Sequence, residues 1–132
     1  MKFKYNDGGR SKYYKATIVG DCVVRAIAIA TQRDYKEVYK EAHTFLGYSP
    51  RDGTRHHSHT KKLVEHFGGK WKAMMTIGSG CKHHLKDGEV PMQGNIICSL
   101  SGHLTAVVNG VINDTYDCSR GGTRCVYGYW EF

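Results

Sequence analysis

The chain has 132 residues, of which 40% are hydrophobic and 23% charged, with a formal net charge of +7 at pH 7. That length fits one domain, and that balance is ordinary for a folded globular protein, which excludes a disordered chain. The 19 Lys and Arg residues are scattered, with no run of five, so the charge reads as a solvated basic surface in preference to a nucleic-acid footprint.

The first twenty residues read as an irregular arm, with a short edge strand over Tyr13 to Ile18. Met1 to Gly9 has no apolar core of the kind a signal peptide carries. From Cys22 to Ala30 every residue except Arg25 is apolar, and several are Ala. A helix apolar on nearly all sides is a buried helix, and Gly20-Asp21 supplies its break and an N-cap. Asp34 and Glu37 then form a D-x-x-E start resembling a capping box, followed by a helical stripe of Val38, Ala42, Phe45 and Leu46 that Gly47 stops. Tyr48 to Ser58 is a polar loop, and Leu63, Val64 and Phe67 mark a short helix ended by Gly68-Gly69.

Strand signals dominate the rest. Trp71 to Ile77, Asn95 to Leu100 and Cys125 to Phe132 each read as a strand. His103 to Val108 and Val111 to Thr115 flank Asn109-Gly110, a strong signal for a two-residue hairpin. Helices first and an antiparallel sheet second define an α+β class: a helical part over 21–68 and a sheet over 70–132. The longest apolar run, 22–31, is broken by Arg25 and falls short of the ~20 residues that span a bilayer. Cys22, Cys81, Cys98, Cys118 and Cys125 form an odd set without a CxxC pair. The expectation is a cytoplasmic protein, neither secreted nor membrane-bound, whose cysteines are free thiols.

Cys22 opens the buried helix, where unpaired amides and the macrodipole favour a thiolate, and where its own backbone amide is placed to bind an oxyanion. His103 opens a strand. With a two-residue turn, Val107 faces Ile112 and Thr105 faces Asp114. His103 and Asp114 then become diagonal neighbours on one face, while Asn113 points away. A carboxylate on one imidazole nitrogen fixes the tautomer and leaves the other as a base for Cys22. A slip of one residue would exchange Asp114 for Asn113. The order of Cys on a helix, then His and Asp on successive strands, resembles the papain-like superfamily of cysteine peptidases and amidases.

The segments GDCVVRAIAIAT (20–31) and GHLTAVVNGVINDTYD (102–117) look like its nucleophile helix and His–Asp hairpin, as found in compact bacterial and phage-encoded members. The resemblance implies a thiol hydrolase acting on a protein or peptide substrate. Its site would be Cys22, His103 and Asp114. The competing reading is an inactive member that binds a protein or nucleic-acid partner. Papain-like peptidases usually place a Gln before the cysteine as an oxyanion donor. No Gln precedes Cys22 here, which leaves Asn6 and Thr17 as candidates. The histidine runs at 55–59 and 81–84 match no zinc-ligand spacing, so neither a metal nor a cofactor is expected.

Overall fold

The computed structural model describes residues 1–15, 19–76 and 78–132. Among them lie three α-helices, α1 (Cys22–Thr31), α2 (Tyr35–Leu46) and α3 (His57–His66), and six strands. The strands are β1 (Lys2–Tyr5), β2 (Lys70–Ala73), β3 (Asn95–Leu100), β4 (His103–Val108), β5 (Val111–Asp114) and β6 (Gly128–Glu131). They form one mixed sheet in the order β1-β5-β4-β3-β6-β2. No helix among the described residues is long and apolar enough to cross a membrane.

The helices form where the side chains require it. Val24, Ile27, Ala26 and Ala30 of α1 are buried against Val38 and Ala42 of α2, Leu63 and Val64 of α3, and Ile97, Ala106 and Trp130 of the sheet. The small residues let α1 lie close to its neighbours. Asp34 caps α2 by accepting from the Glu37 N–H, and Gly47 ends it with a left-handed φ of 77°. A second core fills the other face of the sheet, where Ile96, Cys98, Val107 and Ile112 meet Leu85, Val90, Cys118 and Val126. Alternation along β3, with Ile96 and Cys98 on one side and Ile97 on the other, divides the two cores.

The hairpin of β4 and β5 has the expected register, Val107 opposite Ile112 and Ala106 opposite Asn113. Asn109 and Gly110 both take positive φ, 48° and 79°, as the right-handed twist of a tight hairpin demands.

Four expectations are corrected. The sheet is mixed, because β1 runs parallel to β5, with Tyr5 beside Asp114. The arm is therefore ordered at its start, and Tyr13 ends a single 3-10 turn (Arg10–Lys12) instead of opening a strand; residues 16–18 lie outside the described residues. β2 stops at Ala73, since the Met74 and Met75 amides both turn onto the Tyr127 carbonyl; Ile77 also lies outside the described residues. Cys81 and Cys125 are joined by a disulfide, leaving Cys22, Cys98 and Cys118 as the free thiols. Their pairing is made by tertiary structure, a backbone bridge between His84 and Cys125, which no sequence spacing announces.

Candidate active site

Three elements bring Cys22, His103 and Asp114 together. Cys22 is the first residue of α1 and half-buried. Its thiol lines the same cavity as His103 and Leu104, and both act on it electrostatically. His103, the first residue of β4, stands at the end of the sheet, where its ring can reach past the strand to the start of α1. On its far side, His103 Nε2 lies 2.7 Å from Asp114 Oδ2. That contact commits Nε2 to the carboxylate and leaves Nδ1 for the thiol. Asn113, on the opposite face of β5, accepts from the Asn6 amide at 3.0 Å and does not meet the ring.

Charge is organised around this line. Burial alone would push the Cys22 thiol up, but the hydrogen bond and charge of His103, the Leu104 amide and the Arg25 charge outweigh it, so the pKa falls. His103 moves the other way. Burial disfavours its cation, yet Asp114 and the thiols of Cys118 and Cys22 raise it well above the ordinary imidazole range. Asp114, despite its burial, is held below the usual carboxylate range by His103. All three directions are those that favour a thiolate–imidazolium pair backed by a carboxylate.

Arg25 and Asp21 were visible in sequence only as a break and a cap. In the structure the Asp21 carboxylate is completely buried and does not cap α1. It accepts from Arg25 Nη1 at 2.6 Å and from the Tyr35 hydroxyl at 2.6 Å, and pairs with Arg10 Nε at 2.9 Å. Arg25 Nη2 in turn lies 3.8 Å from Asp114 Oδ1. A buried charge requires such partners. The signal for Arg25 was its solitude in an otherwise apolar helix. Because the Asp21 side chain is occupied elsewhere, it does not take up the amides of the first turn of α1.

Cys22 and His103 line a cavity of about 550 Å³ together with Asp52, Gly53, Thr54, Gly102 and Tyr116. The Tyr116 ring packs against His103, centroids 5.3 Å apart. Asn6 does not line this cavity: its amide donates to Asn113 and its oxygen accepts from the Gly8 N–H. Thr17 lies outside the described residues. Cys118, which sequence reasoning left unassigned, sits 3.7 Å from Asp114 Oδ2. His103, Asp114 and Cys118 offer donor atoms within 4.8 Å of one another.

Comparison with protein-family models, with curated proteins and with solved structures finds no match in any of the three.

Proposed function

We propose that the chain is a cysteine hydrolase acting on an amide, peptide or isopeptide bond, with a papain-like arrangement of nucleophile helix and His–Asp hairpin. The observation that carries this reading is the line from Cys22 through His103 to Asp114, with the thiol at a helix start and the histidine held at 2.7 Å by a buried carboxylate. Cys22 attacks the carbonyl carbon as a thiolate, and the oxyanion is received by the amides of Cys22 and its successor in the first turn. Protonated His103 gives its Nδ1 proton to the leaving amine, forming a thioester. Water then adds to the thioester as His103 takes its proton, and the acid product leaves with the thiol restored. Asp114 keeps the ring oriented and stabilises its cation throughout.

A second reading is a protein of this architecture that binds a protein or nucleic-acid partner without turnover. Its support is the commitment of the Asn6 amide to Asn113, which leaves no described side-chain amide on the cavity. Alkylation with iodoacetamide at about pH 6 tests the shared premise: a lowered thiol reacts there, an ordinary one does not. Cys22 should be labelled ahead of Cys98 and Cys118. An unlabelled Cys22 beside a labelled Cys118 would sink the hydrolase reading. Turnover separates the two readings: an activated ester should acylate Cys22 and then be released, whereas a binding protein would retain the adduct.

A further inference from the structure

A second cluster of reactive side chains lies away from the triad, where residues 81–89 meet residues 124–126. His84 and Cys125 form an isolated antiparallel bridge. It is closed by the Leu85 N–H donating to the Arg124 carbonyl at 2.8 Å and the Val126 N–H donating to the His83 carbonyl at 2.9 Å. Leu85 and Val126 are fully buried in the core beneath. Alternation therefore turns His84 and Cys125 outward and side by side. Cys81, exposed and bonded to Cys125, brings its sulfur to 3.6 Å from His84 Nε2. The other ring nitrogen, Nδ1, lies 3.1 Å from Glu89 Oε1, and Lys86 holds the second Glu89 oxygen at 3.1 Å.

Two cysteine sulfurs and an imidazole whose far nitrogen is fixed by a carboxylate make a donor set suited to a soft d10 cation. Zinc bonds of about 2.3 Å to sulfur and about 2.0 Å to nitrogen put such donors about 3.5 Å apart on a tetrahedron. The observed separation of Cys81 Sγ and His84 Nε2, 3.6 Å, matches that edge.

We propose that, once its disulfide is reduced, the cluster of Cys81, Cys125 and His84 binds one Zn²⁺ ion, with Glu89 orienting His84 and water as the fourth ligand. A dithiol donor supplies two electrons and two protons to the disulfide and is itself oxidised to a disulfide. Zinc then displaces the two thiol protons to solvent as the thiolates bind. The same two chain segments are joined in either state, by a covalent bond in one and by the metal in the other. Sequence spacing concealed the site because His84 and Cys81 meet their third ligand across a tertiary bridge.

The full chain, reduced anaerobically with dithiothreitol and desalted, should retain one zinc per chain after incubation with Zn²⁺ and a second desalting. The oxidised chain should retain none. His84→Ala and Cys81→Ser should abolish retention, Cys22→Ser and Cys118→Ser should preserve it, and Glu89→Gln should weaken affinity by about 10–100-fold against a chromophoric chelator. Absence of zinc from the reduced chain, or its persistence in His84→Ala, overturns the assignment. If reduction unfolds the metal-free chain by circular dichroism, recovery of the fold on adding Zn²⁺ supports the site, and failure to recover overturns it.

Discussion

At the scale of single residues, the contest is between two neighbours on β5. Alternation along a strand allows only one of Asp114 and Asn113 to face His103, and the hairpin turn decides which. That choice was legible because Asn109-Gly110 fixes the register, and the observed Val107–Ile112 pairing agrees with it. Replacing Asp114 with Ala removes the group that raises His103 and, through the imidazolium, lowers Cys22. The acid limb of the Cys22 alkylation profile should move up in pH, and the alkaline limb of turnover, where His103 loses its proton, should move down. The thiolate–imidazolium window thus narrows from both sides. Turnover should fall about 10³- to 10⁴-fold with little change in KM. An unchanged pH profile would remove Asp114 from the mechanism. Asn113→Ala tests the converse. It breaks the contact with Asn6 and the donation to the Val111 carbonyl, so unfolding stability should drop by about 1–2 kcal/mol while the alkylation profile stays in place. Arg25 was only half legible. A lone charge in an apolar helix announces a partner, but not that it links two carboxylates.

At the scale of elements, sequence pattern served best where the signal is local. The composition of α1, the Asp34 cap of α2 and the hairpin turn are each written within a few residues. β1 is not. All of its residues are exposed, and it is held by parallel pairing to a strand far along the chain. Nothing in four short residues encodes such a partner. Gly128 shows a different kind of information, an isolated glycine inside a strand, which marks a close approach. A Cβ there would collide with the Trp71 ring and come within 2.8 Å of the Lys72 carbonyl oxygen. Trp71 is itself packed on Trp130, centroids 4.6 Å apart, so it has little room to yield. Gly128→Ala should destabilise the protein by about 1–3 kcal/mol, read as a lower urea midpoint with an unchanged slope. A neutral result would mean that β2 can shift outward freely.

At the scale of the whole molecule, the sheet separates two cores of unequal support. One is covered by three helices, the other by irregular chain that carries Leu85, Val90, Cys118 and Val126. Irregular chain pays a larger conformational entropy for being held in place, and the Cys81–Cys125 link offsets it. The link closes a loop with a sequence separation of 44 residues. By the loop-closure model this contributes about 4 kcal/mol. In metal-free buffer the Cys81→Ser, Cys125→Ser double variant should melt at a lower temperature than the oxidised protein. Equal melting temperatures would show that the second core holds without its tie. The pairing was hidden in the sequence because five cysteines allow many partners, and only the assembled sheet selects one.

The chain order of the site has a consequence for how the protein is made. Synthesis proceeds from the N-terminus, so Cys22 leaves the ribosome long before His103 and Asp114 exist. Until the hairpin is complete, the thiol has neither the imidazole nor the carboxylate that lowers it, and behaves as an ordinary cysteine. β1 emerges earlier still, yet among the described residues its sheet partner is β5 alone. Docking of the first strand onto the strand that carries Asp114 must therefore be among the last events of folding. A nascent chain of this design would carry the Cys22 thiol through translation in its ordinary form, and would acquire the lowered thiol at nearly the moment the fold closes.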